Sequence, residues 1–533
     1  MKYATTGKRR VALAAGGAVL ALSMLAGCSV PGTGGGSGSD GASSFKISMY
    51  DPITLLPGNT WDYNLSKMLF TTPMELNAET GEPEPAAAKS VESEDQTTWT
   101  VTLQDGWTFH NGERVTSESF INAWNAVALG KNAWVQNGSF NKIKGYDELN
   151  PAEGEPTATE LSGLTAVSET EFTVTLSEPF GLFPYLLTSN AFSPLPEAAF
   201  EDLDAFGKKP IGNGPYSIVN AYEPNQAVDV TRFEDYKGKT GASDEITFVP
   251  YQSQDTAFND LLAGNLDVVY PVPPDRLSEV DSLVDGRTAV SKIPNINYLG
   301  LPLWDERYSD VRVRKALSMA IDREAFTEKI LNGAGAPATS IAPDTVVGAQ
   351  ENVCDACTFD PEGAKKLLEE AGGWSGEMVL YGDQYAGRDQ ELQAMANQFK
   401  KVLGIDGVTF ELSSYAKHSE IVDAKQAKGP FQLYMGAYYP HISDFLGPLV
   451  TTDGYGNKSG YSNPEVDALI AEANGLPMEE GLPLFEEAER LLWEDQPVIP
   501  LYYGYYTAAW SENVQSIPVG FSGLGDLRDV KVN

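Results

Sequence analysis

Cysteine, histidine and positive charge are all scarce in this chain of 533 residues, which has three Cys and three His. Three cysteines are too few for a small scaffold held together by disulfides, and 42% hydrophobic residues provide an ample core instead. The 37 basic residues face 74 acidic ones, so the net charge is −37. This charge repels phosphate backbones and argues against nucleic acid as a partner, although a solvated acidic surface also explains it. At roughly 100–200 residues per domain, the length predicts about two to four domains.

The usual catalytic and metal-binding motifs are also missing. With only His110, His418 and His441, a catalytic triad or a histidine-based metal site has few possible members. Neither G-x-S-x-G nor H-E-x-x-H occurs, which argues against a nucleophile elbow and a zinc protease. Residues 238–240 (GKT) resemble the end of a P-loop, but Phe233 stands where its first glycine is required. We therefore expect no enzymatic activity, no metal and no cofactor, while a glycosidase carboxylate pair among so many acids stays open.

The first 28 residues carry the clearest local signal. Three basic residues, Lys8, Arg9 and Arg10, precede an apolar run over 11–25 that is shorter than the roughly 20 residues a membrane-spanning helix needs. The run ends in Leu-Ala-Gly-Cys28, which resembles a bacterial lipobox. The sequence predicts a signal peptide over 1–27 and a lipidated Cys28, with a soluble export signal cleaved elsewhere as the alternative.

A Gly/Ser-rich tract follows the predicted lipidation site. Residues 28–44 show no apolar periodicity and are typical of a flexible tether. No later stretch is apolar for long enough to span a membrane. This order predicts a folded body held by a lipid anchor at the extracellular face of the bacterial cytoplasmic membrane.

Apolar periodicity predicts both strands and helices. Residues 98–103 and 171–176 alternate apolar and polar side chains, as antiparallel strands with one solvated face do. The helical period dominates after about residue 310, where Asp310, Asp360 and Asn463 are expected N-caps. Five apolar stripes predict helices around Val313, Ala364, Leu392, Val466 and Leu484.

Cys354 and Cys357 are the remaining cysteines, and two residues separate them. After an export signal we expect a local disulfide that braces the loop before Asp360, while a redox-active pair is the alternative in a cytosolic protein. A four-ligand zinc site is disfavoured, because Cys28 lies at the predicted anchor and no histidine lies nearby in sequence.

Two irregular segments are dense in tyrosine, namely 434–446 (YMGAYYPHISDFL) and 500–506 (PLYYGYY). Tyrosine combines a flat apolar ring with a hydroxyl group, so such clusters can line a ligand groove. They can equally pack with the ring buried and the hydroxyl at the surface. Composition alone leaves both interpretations open.

Four segments together resemble a known family. They are 99–120 (WTVTLQDGWTFHNGERVTSESF), 210–216 (PIGNGPY), 310–323 (DVRVRKALSMAIDR) and 461–470 (YSNPEVDALI). In this order, behind a lipobox, they are similar to family 5 of the solute-binding proteins of ABC transporters, the oligopeptide/dipeptide-binding group. The resemblance runs from about residue 47 to the C-terminus.

The resemblance implies an α/β fold of the periplasmic-binding-protein-like class (type II, cluster C), a two-lobed Venus-flytrap with an extra domain. Domain I would combine 45–75, 195–296 and 504–533, domain II would be an insertion over 76–194, and domain III would cover 297–503. The two crossings between the lobes, near residues 297 and 503, would form the hinge.

By the same resemblance, the protein would be a monomeric, non-enzymatic receptor that binds oligopeptides and delivers them to ABC permease subunits with their ATPases. Alternatives on this fold are a metal complex, haem or an oligosaccharide as the ligand. A surface hydrolase, or a signalling or adhesion receptor, represents a different class of function.

The sequence departs from the family where many peptide-binding members have Trp-x-Ala-Asp-Tyr. That Asp pairs with the α-ammonium group of the peptide, but here Tyr438 occupies its position and Met435 that of the Trp. Either Asp62 or Asp444 could replace the missing charge, or the ligand has no amine there. The resemblance places these residues in the cleft: Asp62, Tyr63, Asn64, Tyr298, Met435, Tyr438, Tyr439 and His441.

Overall fold

The computed structural model describes residues 43–385, 387–520 and 523–533. The predicted signal peptide, the lipidation site Cys28 and the tether up to residue 42 lie outside the described residues. The first strand begins at Ser44, the last residue of the predicted tether. Among the helices of the described residues, none is both long enough and apolar enough to cross a bilayer.

The strands of the described residues are as follows: β1 (Ser44–Met49), β2 (Met74–Leu76), β3 (Pro83–Pro85), β4 (Ala88–Glu92), β5 (Thr98–Leu103), β6 (Leu164–Ser168), β7 (Glu171–Thr175), β8 (Tyr216–Ile218), β9 (Val228–Arg232), β10 (Glu245–Pro250), β11 (Val268–Val269), β12 (Thr288–Lys292), β13 (Asn295–Gly300), β14 (Gly335–Pro337), β15 (Met378–Asp383), β16 (Val408–Ser413), β17 (Phe431–Gly436), β18 (Val498–Trp510), β19 (Val514–Ser516), β20 (Val519–Gly520), β21 (Gly523–Leu524) and β22 (Lys531–Val532). The helices are α1 (Tyr63–Leu69), α2 (Ser117–Ala128), α3 (Tyr146–Leu149), α4 (Phe183–Leu186), α5 (Leu203–Phe206), α6 (Gln254–Leu262), α7 (Val280–Leu283), α8 (Val311–Met319), α9 (Arg323–Lys329), α10 (Pro361–Glu370), α11 (Arg388–Leu403), α12 (Tyr415–Asp423), α13 (Ser443–Val450), α14 (Pro464–Asn474) and α15 (Met478–Asp495).

The largest sheet has the strand order β16-β15-β17-β13-β18-β11-β1-β10-β9-β8, and β12 and β14 also pair with β18. The long strand β18 pairs with strands from both halves of this sheet. The first half (β1 and β8 to β11) meets β18 at Ala509 and Trp510, whereas the second half (β13 and β15 to β17) meets it between Val498 and Tyr502. Both neighbours, β11 and β13, are antiparallel to β18.

A separate four-stranded sheet has the order β4-β5-β7-β6. It contains both strands that the sequence predicts from alternation, and they pair with each other in antiparallel register, with Trp99 opposite Val174. Trp99, Val101 and Leu103 are buried, while the threonines between them face the other side. The predicted antiparallel pair is therefore confirmed.

The five apolar stripes all lie in helices, α8, α10, α11, α14 and α15. The side chains of Asp310, Asp360 and Asn463 each accept a backbone N–H from the first turn, at 2.8, 2.9 and 3.0 Å. These contacts satisfy donors that have no partner inside the helix. The predicted N-caps are therefore confirmed.

The segment 210–216 packs directly onto the end of α1. A Cβ atom on Gly212 would lie 1.8 Å from the carbonyl oxygen of Leu69, so only glycine allows the two backbones to approach. Between the two glycines, the Asn213 amide donates to the carbonyl of Thr71 at 3.0 Å and its oxygen accepts the Thr71 N–H at 2.9 Å. The segment 210–216 therefore fixes the position of the backbone just after α1.

His110, in the segment 99–120, joins the same assembly. Its Nδ1 accepts the N–H of Gly212 at 3.2 Å, and its Nε2 lies 3.1 Å from the carbonyl oxygen of Gly214. Burial lowers the pKa of His110 to about 4, which keeps the ring neutral near neutral pH and suits this pairing. Two motifs that are far apart in sequence thus form one contact that fixes α1.

Cys354 and Cys357 are bonded to each other, with Cα atoms 5.3 Å apart. The carbonyl of Cys357 accepts a hydrogen bond from the buried guanidinium of Arg323 at 2.8 Å, and Arg323 also donates to the carbonyl of Pro500 at 2.7 Å. Burial lowers the pKa of Arg323 to about 9. The last residue of the 310–323 motif therefore ties the cysteine loop to β18.

We expect Gly214→Ala to lower the free energy of unfolding by about 1–3 kcal/mol. The new Cβ would lie within 2.6 Å of backbone atoms of Met68, Leu69 and Phe70, which cannot move independently. Gly138→Ala is the matched control, because nothing lies within 4 Å of the added atom. Urea unfolding measures both, and equal stability of the two variants would contradict the close packing at Gly214.

Candidate ligand-binding cleft

The strand directions bring the carboxyl ends of both halves of the main sheet to the middle of β18. From one side, β11 ends at Val269, opposite Ala509. From the other side, β17 ends at Gly436, opposite Asn295, whose side chain in turn accepts the N–H of Gly504 at 2.9 Å. Open α/β sheets bind ligands at the carboxyl ends of their strands. The space where the ends of β1, β11, β15 and β17 meet, called the cleft below, is therefore the candidate site.

Five tyrosines from both halves of the sheet stand at these strand ends. Tyr50 follows β1, Tyr270 follows β11 and Tyr385 lies just beyond β15, while β17 supplies Tyr434 and β18 supplies Tyr506. We call these five residues the tyrosine wall.

The wall tyrosines are close neighbours, and Tyr50, Tyr385 and Tyr434 are nevertheless more than half exposed. The rings of Tyr270 and Tyr506 lie 5.7 Å apart, nearly perpendicular. Burial raises the pKa of the Tyr506 phenol well above its usual value, and the phenols of the other four add to the rise. The exposed fraction is nevertheless 54% for Tyr434 and 66% for Tyr385. A cluster of exposed aromatic rings is a common sign of a binding surface.

Asp444 is the one acid of the sequence-predicted region that lies buried beside the cleft. It belongs to the first turn of α13, and its carboxylate accepts the backbone N–H groups of Tyr438 and Tyr439. Burial raises the pKa of Asp444 to about 8, although both hydrogen bonds oppose the rise. Among the described residues, no positively charged side chain lies near enough to contribute to this pKa. The carboxyl group is thus buried without a cation, which is costly.

Aromatic side chains surround Asp444 on the cleft side. The rings of Trp61 and Tyr438 lie 6.4 Å apart, and both side chains are about half exposed. The phenols of Tyr63, Tyr438 and Tyr455 are all close enough to the Asp444 carboxyl for its charge to raise their pKa values, after burial as the main cause. We call this cluster of residues the acid pocket.

The resemblance did not identify Trp61 or Tyr455, nor any residue of the tyrosine wall. Trp61 directly precedes the predicted residues 62–64, so its sequence position was a usable signal. Tyr455 lies in the loop between α13 and α14, where nothing in its sequence context distinguishes it.

Two of the predicted cleft residues on α1 have other partners in the structure. Asp62 caps this helix, since its carboxylate accepts the N–H of Leu65 at 2.8 Å. Asn64 lines a separate cavity of about 130 Å³ with Lys67 and Arg528. Only Tyr63 of this trio lies in the acid pocket, and ligand contact by the other two stays a prediction.

Tyr298 and Met435 are buried residues of the neighbouring strands β13 and β17. Burial is the main cause that raises the pKa of Tyr298, and the nearby phenol of Tyr455 raises it further. Tyr298 therefore packs against the acid pocket, and Met435 lies in the core of the strand that leads to it.

Tyr439 and His441 are buried as well. The ring of Tyr439 stacks on Tyr185 at 5.4 Å, and His441 Nδ1 lies 3.0 Å from the hydroxyl of Ser443. Burial lowers the pKa of His441 to about 3, so the ring is neutral at ordinary pH. Both residues support the loop that carries Tyr438. Among the described residues, no group of three or more acidic, histidine or cysteine side chains could hold a metal ion.

Comparison with known proteins gives a consistent result. A profile of the bacterial extracellular solute-binding proteins, family 5 Middle, matches residues 82–460. The periplasmic oligopeptide-binding protein OppA of Salmonella typhimurium is 27% identical over 459 residues, which cover 83% of this chain and 82% of the relative. The heme-binding protein A of Haemophilus influenzae is 26% identical over 499 residues, 89% of each chain.

A solved structure shares the fold. The unliganded open form of the periplasmic murein tripeptide binding protein MppA superimposes with a TM-score of 0.80 at 23% identity, covering 92% of this chain and 97% of that one. The two-lobed α/β architecture predicted from the sequence is therefore confirmed.

The burial of Asp444 predicts a pH-dependent stability. Its folded pKa of about 8 lies above the roughly 3.9 of an unfolded chain, so the folded protein holds the proton and loses stability as the pH rises between these values. Asp444→Asn should remove this loss. We expect the variant to gain stability relative to the unmodified protein between pH 5 and pH 8, by at most about 1.4 kcal/mol per pH unit.

Urea unfolding at several pH values measures this difference, with Asp105→Asn in an exposed turn as the control. A difference that does not change with pH would show that Asp444 is already ionised at low pH.

Proposed function

Because the chain belongs to family 5 of the bacterial extracellular solute-binding proteins, we propose that it captures oligopeptides in the cleft and delivers them to an ABC permease and its ATPases. The observation that carries this proposal is the acid pocket. A buried carboxyl group without a cation is stabilised when a ligand brings a positive charge. The α-ammonium group of a peptide supplies that charge.

The position of Asp444 fits this role. Many peptide-binding members of the family have an Asp where this chain has Tyr438, and Asp444 is six residues further along the chain. Its carboxylate nevertheless accepts the N–H of Tyr438 itself, so it lies at the backbone of the position that lost the charge. We therefore assign the ammonium site to Asp444 rather than to Asp62, whose carboxylate caps α1.

The cleft also suits an extended ligand. Strand ends from both halves of the sheet face it, and main-chain hydrogen bonds there would give affinity without reading the peptide sequence. The wall tyrosines would then contact the side chains. The main-chain contacts would thus be independent of the peptide sequence.

Closure of the lobes would occur about the two chain crossings, β12 to β13 and the middle of β18. Asn295 joins them, because its side chain accepts the N–H of Gly504 at 2.9 Å and donates to its carbonyl at 3.0 Å. Such a connection lets the lobes rotate while the crossing strands stay together. We propose the domain boundaries given by the resemblance, with the hinge at these residues.

The test uses pentapeptides of the same sequence with a free or an acetylated N-terminus, mixed with the protein and analysed by native mass spectrometry. We expect bound peptide, with the free-amine form preferred at least about tenfold, as loss of one buried ion pair implies. Asp444→Asn should bind both forms equally.

Two outcomes would contradict different parts of the proposal. Retention of haem or a sugar with no peptide bound would overturn peptide capture. Equal binding of both forms by the unmodified protein would leave peptide capture standing and remove the role of Asp444.

We also propose that Cys28 carries the lipid anchor that keeps the protein at the membrane. Cys28→Ser should release the protein into the medium, because no acyl chain can then be attached. Immunoblots of cell and medium fractions measure the distribution. Retention of the variant at the membrane would contradict the anchor.

A further inference from the structure

The tyrosine wall has few positive charges near it. In the part of the chain that the structure describes, no basic side chain lies near enough to Tyr50, Tyr434 or Tyr506 to lower its pKa, and besides burial only other phenols raise it. One guanidinium, that of Arg388, lies 5.9 Å from the ring centre of Tyr385. Whether a ligand at the wall meets a positive charge therefore depends on the partners of Arg388.

Two carboxylates bind Arg388. Its Nε donates to Asp383 at 3.1 Å, and its Nη1 donates to Glu391 at 3.0 Å. Only 6% of the Arg388 side chain is exposed. This buried group of one cation and two anions offers no net positive charge to a ligand, because its acids already outnumber its base.

Asp444, the acid buried beside the cleft, lacks such a partner. It accepts backbone N–H groups. No side chain that the structure describes neutralises this carboxyl group once it is ionised.

Aromatic rings attract cations through their negative faces, and tyrosine does so while its hydroxyl stays neutral. An ammonium or guanidinium group on these rings gains this attraction. A carboxylate in the same place faces the negative ring faces, and the nearby guanidinium of Arg388 is already bound by two carboxylates.

We propose that the cleft selects peptides with lysine or arginine side chains, whose charged groups lie on the tyrosine wall, and disfavours peptides that bring carboxylates there. This inference rests on the proposed peptide capture and adds a charge preference to it. It also predicts that the C-terminal carboxylate of the peptide makes no ion pair in the cleft.

The test measures affinities by titration calorimetry for five-residue peptides that are alanine throughout except for Lys, Ala or Glu at the centre, each with a free or an amidated C-terminus. We expect the Lys peptide to bind at least about tenfold more tightly than the Glu peptide, with Ala between them. Amidation should not weaken binding.

Two variants of Tyr434 distinguish the contribution of the aromatic ring from that of the hydroxyl group. Tyr434→Phe keeps the aromatic face and should keep the preference for Lys over Ala, whereas Tyr434→Leu keeps apolar area and should reduce that preference. Tyr415→Leu, at an exposed tyrosine outside the wall, controls for loss of a surface ring.

The outcomes distinguish the two proposals. If no peptide binds, the proposed function fails. If peptides bind but their affinities do not fall in the order Lys, Ala, Glu, peptide capture stands and the charge preference is overturned. The same conclusion follows if amidation weakens binding at least about tenfold. An equal Lys preference in the Phe and Leu variants would also overturn the role of the wall.

Discussion

The pairing of β18 with both halves of the main sheet is the constraint on which the rest of the structure depends. On one side β11 is antiparallel to β18 and runs toward its middle. On the other side β13 is also antiparallel to β18 and begins near that middle, so its antiparallel neighbour β17 runs back toward it, and the carboxyl ends of β11 and β17 are turned toward each other. The cleft, the tyrosine wall and the proposed hinge all follow from that arrangement. Asn295 holds the crossing strands together at the same level.

The proposed site is built around an acid that the protein itself leaves without a charged partner. Asp444 is buried with backbone donors and, among the described residues, with no cation near enough to affect its pKa. Other buried charges have several partners, as when Arg323 donates to several backbone carbonyls or Arg388 binds two carboxylates. The contrast supports a ligand that completes the acid pocket.

Local physics made much of the fold predictable. Caps such as Asp310 and strands such as 98–103 depend on neighbours within a few residues, and these predictions are confirmed. The close backbone approach at Gly212 and Gly214 was not predicted, since the contact partner, Leu69, lies far away in sequence.

In the tyrosine-rich segments, local sequence patterns do not predict which tyrosines face the cleft. Tyr503 is buried, with its hydroxyl bonded to Ser340 at 3.0 Å, whereas Tyr506, three residues later in the same strand, faces the cleft. Alternation along a strand is visible in the sequence, but which side faces a cleft depends on the strands placed beside it.

The sequence by itself determined the family, the predicted leader, the capped helices and the half-buried strands, because short-range patterns and motifs encode them. Only the tertiary structure shows that Asp62 caps α1 whereas Asp444 lies buried with backbone donors alone, since helix capping and burial depend on the folded backbone. It also decided that Tyr50, Tyr270 and Tyr385 join Tyr434 and Tyr506 in one wall. Residues more than 400 positions apart meet there because strand direction, which no local pattern records, brings their ends together.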